Sequence, residues 1–201
     1  LSEASVTDTD AVLRCVGHCL AEAHMITAQR YGYLGAHAPM EPQQTWAQAF
    51  HIMWNKLLDN VAATRHYTDQ ESVRLRRLLD RHLSLFDRPV PSSLLHMDVW
   101  AQNILVDAAG SLTGLLDWDR ALWGDPEIEF AVLDYCNISR PAFWEGYGKE
   151  RDTTPEAGLR RVFYLLYELQ KYIVIEHGRE NNPARAAEYR KQAMALVDQT
   201  F

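Results

Sequence analysis

His96-Met97-Asp98-Val99-Trp100-Ala101-Gln102-Asn103-Ile104-Leu105 is the stretch that decides the fold, and fourteen residues after Asn103 comes Asp117-Trp118-Asp119. Between them lie two short β-type runs, Ile104-Leu105-Val106 and Leu112 to Leu116, joined by the turn sequence Asp107-Ala108-Ala109-Gly110. A hairpin brings the residue before its first strand close to the residue after its second. Asp98, Asn103 and Asp117 are therefore expected to converge on one point although they lie far apart along the chain. Taken singly, each is an ordinary turn residue, since Asp and Asn favour turns. Their spacing around a hairpin is what points to a site.

A carboxylate and an amide oxygen facing each other suit a hard cation such as Mg2+, which takes oxygen ligands. A second carboxylate beside them can orient a hydroxyl and accept its proton. Phosphoryl transfer asks for little more from the groups around the acceptor.

Outward from this segment the pattern is helical. Pro89 and Pro91 end a helical region. Upstream, Thr45 with Gln48 and Thr68 with Glu71 make two capping boxes. Behind the first, Trp46, Phe50, Met53, Trp54, Leu57, Leu58 and Val61 keep helical spacing; behind the second come Leu75, Leu78, Leu79, His82 and Phe86. The first helix takes Thr7 as its N-cap and Asp8 and Asp10 in its first turn. It sets Val12, Val16, Leu20 and Ala23 on one face and ends near Tyr31-Gly32, before a loop with Gly35, Pro39 and Pro42. Downstream, Asp125-Pro126, Thr154-Pro155 and Asn182-Pro183 each place a cap before a proline at the first helical position. The fold class is mainly α (α+β): one compact domain without an internal boundary, helical with an embedded β-hairpin.

Of the 201 residues, 47% are hydrophobic and 23% charged, the balance of a globular chain, and the formal net charge is -7. That charge disfavours nucleic acid and anionic membranes and suits a cationic small molecule, although its plainest meaning is solubility. No apolar run approaches the roughly 18 residues of a membrane span. Cys15, Cys19 and Cys136 give no disulfide framework, which points to a reducing, cytoplasmic compartment. Cys15, Cys19 and His24 share a helix face, but no second pair has zinc spacing, and the positions suit a packed core. Trp46, Phe50 and Trp54 read as core. Arg74, Arg76, Arg77 and Arg81, interrupted by leucines, read as a solvated face. Gly146-Tyr147-Gly148-Lys149 follows no strand and reads as a turn.

His-x-Asp-x-x-x-x-Asn followed by Asp-Trp resembles the catalytic loop and metal segment of the aminoglycoside phosphotransferase and choline kinase-like family, here residues 94–106 and 112–119. Gly124-Asp125-Pro126, Glu129-Phe130-Ala131 and the upstream Gly17-His18-Cys19-Leu20-Ala21-Glu22-Ala23-His24 are similar to further family segments. The resemblance implies a protein-kinase-like fold and transfer of the ATP γ-phosphate to a hydroxyl of a small molecule. An aminoglycoside or related amino compound would be the acceptor, with antibiotic resistance as its consequence. It implies that Asp98 is the catalytic base or orienting carboxylate, and that Asn103 and Asp117 bind Mg2+. His96 would brace the catalytic loop, and Asp125 would tie that loop to the helix it caps. Asp119 receives no role.

The family also needs a glycine-rich phosphate loop and a lysine on the nucleotide phosphates, and no Gly-x-Gly-x-x-Gly occurs here. Residues 1–201 are then expected to be the kinase C-lobe, with the N-terminal nucleotide-binding lobe absent. Two rival readings remain: a catalytically silent, pseudokinase-like binding lobe, and a metal-dependent phosphohydrolase, which needs ligands beyond these. Among Glu127, Glu129, Asp134, Glu145, Asp152, Glu156, Glu168 and Glu176, a subset is expected to wall the pocket of a cationic acceptor.

Overall fold

The first helix begins where a side chain satisfies its free N–H groups: the Asp8 carboxylate accepts from Ala11 N–H at 2.9 Å and opens α1 (Thr9–Met25). The computed structural model describes residues 8–34 and 40–201. Thr7 as a cap and the Gly35 and Pro39 loop lie outside the described residues.

The chain packs as two units, each discontinuous in sequence: residues 1–43 with 90–153, and residues 44–89 with 154–201. This replaces the single compact domain expected from the sequence. Helical periodicity reveals a buried stripe but not its partner, and here the partners divide into two sets.

In the first unit, Val12, Leu13, Val16 and Leu20 of α1 are buried with Phe143 and Tyr147 of α5 (Pro141–Tyr147). The two helices approach backbone to backbone. A Cβ on Gly17 would lie 2.1 Å from the Phe143 carbonyl oxygen, and one on Gly146 would lie 1.9 Å from that of Arg14. Gly146 is thus a helical contact residue rather than part of a turn, and Gly148 alone, at φ +73, ends α5. α1 stops at Met25, short of the expected Tyr31-Gly32. Ile26 is already extended, and its carbonyl accepts from Leu94 N–H at 2.9 Å.

That extension feeds a small antiparallel sheet. Its strands are β1 (Thr27–Ala28), β2 (Gly32–Tyr33), β3 (Ser92–Leu95) and β6 (Leu122–Gly124), in the order β1-β3-β6-β2. Strands this short show no alternation, so most of the sheet is invisible to periodicity. The expected hairpin forms separately as β4 (Ile104–Val106) and β5 (Leu112–Leu115), with Ile104 opposite Leu115. Its turn closes as its residues require: Asp107 Oδ1 accepts from the N–H groups of Ala109 and Ser111, both at 2.9 Å, and Gly110 sits at φ +83. After β6, Asp125 accepts from Glu127 N–H at 3.1 Å and opens α4 (Pro126–Tyr135).

The second unit holds α2 (Trp46–Ala63), α3 (Asp69–His82), α6 (Pro155–Gly178) and α7 (Pro183–Thr200). Both capping boxes form as read, Thr45 with Gln48 and Thr68 with Glu71. Thr154 and Asn182 cap α6 and α7. Trp46, Phe50, Trp54, Phe86, Phe163 and Tyr164 are fully buried, and Trp46 Nε1–H donates to Tyr164 Oη at 2.7 Å. The aromatic cluster is core, as its spacing suggests. Among the described residues no helix is long and apolar enough to cross a membrane.

Candidate active site

Leu95 of β3 stands opposite Leu122 of β6. Residues 96–121 are therefore one excursion that leaves and re-enters the sheet at adjacent points, and all the candidate site residues except Asp125 lie on it.

Leu116 is fastened from both sides. Its N–H donates to the Asn103 carbonyl at 2.8 Å, and its carbonyl accepts from His96 Nε2 at 2.8 Å. The other ring nitrogen of His96, Nδ1, accepts from Asp98 N–H at 3.2 Å. These partners fix the tautomer, Nε2–H donating and Nδ1 accepting. His96 is fully buried, with the Trp118 ring 4.4 Å away between centroids. It links the start of the excursion to its end. Asp117, the next residue after Leu116, is exposed at φ 65 and ψ 64. That left-handed conformation is uncommon outside glycine and costs on the order of 1 kcal/mol. The fastening of Leu116 on one side and the Trp118 Nε1–H bond to Leu115 O (3.0 Å) on the other hold it there.

Asp98 is partly buried, its side chain 16% exposed. Asn103 Nδ2 donates to the Asp98 carbonyl at 2.8 Å and to Asp98 Oδ2 at 3.3 Å. The amide hydrogens of Asn103 are thus spent on Asp98, and its Oδ1 is left as an acceptor. Arg120 Nη1 lies 3.3 Å from Asp98 Oδ1. Each oxygen of the Asp98 carboxylate therefore has one donor, which fixes its orientation. Arg120 sits in the short 3-10 turn Trp118–Arg120, and sequence reading missed it: a lone arginine after Asp119 carries no motif signal. Asp119 is exposed in the same turn.

Beneath the loop lies Glu129, fully buried on α4. It accepts from His96 N–H (3.1 Å), Met97 N–H (2.7 Å) and His24 Nε2 (2.8 Å). Burial pushes its carboxyl up, but the His24 hydrogen bond and charge, the Met97 N–H and His96 outweigh that and hold it below the ordinary carboxylate range. Met97 is at φ 66, so Glu129 grips the backbone where the chain turns sharply towards Asp98. His24 Nδ1 is 2.8 Å from Tyr147 Oη. Burial, then the charges of Glu129 and Asp125, push that phenol up, so it keeps its proton. His24 thus belongs to this network and not to a cysteine–histidine metal set. One signal for Glu129 is present in the sequence, a single acid inside the apolar run Ile128-Glu129-Phe130-Ala131.

Five of the eight acids expected near the acceptor have partners of their own. Glu129 supports the loop, Asp134 pairs with Arg151, Glu145 with Arg14, Glu168 with Lys171 and Glu176 with Arg185. Asp125, 1% exposed, caps α4.

A hard cation finds suitable donors here. Asn103 offers an amide oxygen whose NH2 is already committed. The Asp117 carboxylate is exposed and has no hydrogen-bond or ion-pair partner among the described residues. Both are oxygen donors of the kind Mg2+ takes. Among the described residues no group of three or more His, Cys, Asp or Glu side chains forms a ready metal cluster.

Loop, hairpin and supporting carboxylate sit within a mainly helical, protein-kinase-like fold. The chain belongs to the phosphotransferase enzyme family, whose model matches residues 2–162. A Vibrio parahaemolyticus protein provisionally named a ketoamine kinase is 29% identical over 167 residues, which is 76% of this chain and 54% of that protein. The chain thus spans about half the length of this curated relative. Two solved structures share the fold. One, from Haemophilus somnus, is provisionally named a fructosamine-3-kinase: TM-score 0.70, 17% identity, 93% of this chain and 64% of that one. The other is a thermostable mutant of aminoglycoside phosphotransferase APH(4)-Ia: TM-score 0.60, 19% identity, 98% and 69%.

Proposed function

We propose that this chain is the catalytic lobe of an ATP-dependent small-molecule kinase, transferring the γ-phosphate to an acceptor hydroxyl. The observation that carries this reading is the arrangement of Asp98 and Asn103. Asn103 spends its amide hydrogens on Asp98, which leaves its oxygen for a cation, and Asp98 is fixed through both oxygens as the group that meets the hydroxyl. In this reading Asp98 orients the acceptor O–H and takes its proton as the oxygen bonds to phosphorus and the bond from phosphorus to the ADP oxygen breaks. Asn103 and Asp117 would hold Mg2+, which supplies charge neutralisation for the nucleotide phosphates. Arg120 and Asn103 aim the carboxylate; His96 and Glu129 keep the loop in shape. Grip on the phosphates is assigned to a separate N-terminal lobe, because these 201 residues contain no glycine-rich phosphate motif.

The acceptor is proposed to be an amine-bearing sugar. The curated relative named for ketoamines supports this, and so do the structural neighbours named for fructosamine and aminoglycosides. The acidic stretch supports it less, because five of its eight carboxylates are tied up in internal contacts.

A coupled assay of ADP release, with the nucleotide lobe in place, tests the reading against a ketoamine, an aminoglycoside and a neutral sugar that carries no amine. Turnover is expected with the amine-bearing sugars, with a KM that rises with salt as charge is screened. Turnover confined to the neutral acceptor and insensitive to salt would refute the acceptor class. Absence of acceptor-dependent turnover with any hydroxyl compound would refute the kinase reading.

A further inference from the structure

Outside the candidate active site, two histidines distant in sequence meet in the second unit. His66 lies between α2 and α3, and His177 lies in the last turn of α6. His66 Nε2 is 3.2 Å from His177 Nδ1, with the rings nearly perpendicular at 84°. Two imidazole nitrogens bound to one tetrahedral metal at 2.0–2.1 Å are about 3.3 Å apart. The separation in the structure is already that of a chelating pair.

We propose that His66 and His177 form a two-histidine site for a divalent transition-metal ion of the Ni2+, Cu2+ or Zn2+ class, pinning the turn between α2 and α3 to the C-terminal end of α6.

Imidazole suits these metals and not Mg2+. The C-terminal end of a helix carries partial negative charge, which favours a cation beside His177. Burial, then the charges of His177 and Arg190, lower the pKa of His66, so it offers a lone pair near neutral pH. Arg190, whose charge acts on His66, has its guanidinium engaged by Glu71. Glu176, beside His177, is paired with Arg185. As the pair stands, one facing nitrogen carries the hydrogen of their contact. Metal entry replaces it, with that proton moving by way of solvent to the far nitrogen of the same ring. Because no third His, Cys, Asp or Glu joins them among the described residues, solvent completes the coordination.

Calorimetric titration of the protein with Ni2+ near neutral pH tests this. One ion per chain is expected, bound tighter than roughly millimolar, about 4 kcal/mol. His66→Gln and His177→Gln should each weaken binding roughly tenfold or more, while His51→Gln should leave it unchanged. A second readout needs no variant: the imidazole NMR signals of His66 and His177 should broaden first on adding Ni2+. Wild-type affinity in either glutamine variant, no binding by the unmodified protein, or broadening that begins at His18 or His51 would overturn the assignment.

Discussion

Glu129 shows most clearly how one residue shapes the candidate site without reaching its surface. It is a fully buried carboxylate whose partners are two successive backbone N–H groups and His24. Replacing Glu129 with Gln leaves a donor facing His24 and removes the charge that the network was built around. Breaking a buried pair of this kind costs roughly 3–5 kcal/mol. The folded carboxyl titrates below its unfolded value, so its contribution is in place above the ordinary carboxylate range and is lost as pH falls through the folded value. Thermal melts of wild type and E129Q should therefore differ most near neutral pH and converge in acid. A gap that stays constant down to acid pH would show that the charge is not what matters. Legibility in the sequence stops at this scale. Asp98, Asn103 and Asp117 announce themselves by spacing around a turn, whereas Glu129 and Arg120 act through contacts formed only on folding. Read along the chain, Glu129 looks like one more acid in an acidic stretch.

At the scale of elements, local rules succeed wherever the determinant is local. Both capping boxes, the Asp107 to Gly110 turn and the three cap-proline helix starts form as read. They fail where the determinant is a partner far along the chain. Residues 26–28 continue a helical stretch to the eye, yet they pair with β3 because Ile26 O and Leu94 N–H satisfy each other. Gly146 resembles part of a loop, yet it lies inside α5 because only glycine lets Arg14 of α1 come so close. Gly146→Ala should destabilise the protein by about 1–3 kcal/mol through overpacking, seen as a lower urea midpoint with an unchanged slope. Ala at the half-buried Gly158 of α6, whose Cβ would meet nothing within 4 Å, is the control and should not lower it. Equal midpoints for G146A and wild type would mean that α1 and α5 do not pack this closely.

For the whole molecule, the sequence marks the class of chemistry but not the partition into two packing units, since a buried stripe does not name what covers it. Family membership rests on residues 2–162, and the site lies within that span. What these residues lack is a phosphate grip of the glycine-rich kind. Residues 1–201 alone are accordingly predicted to bind Mg2+–ATP no tighter than roughly millimolar, about 4 kcal/mol, by isothermal titration. Micromolar binding by these residues would contradict the assignment of nucleotide grip to a separate lobe.

In the proposed mechanism Asp98 handles the acceptor hydroxyl while Asn103 and Asp117 hold the metal. A magnesium titration of initial rates, with the nucleotide lobe in place, tests it most directly on wild type, Asp98→Asn and Asp117→Asn. D98N is predicted to lose roughly 10²–10⁴-fold in kcat, the range for losing a proton acceptor, with nucleotide affinity and the magnesium midpoint unchanged. D117N is predicted to need substantially more Mg2+ to reach its own plateau. If the two variants share one magnesium curve, or if D98N keeps wild-type turnover, these roles are wrong.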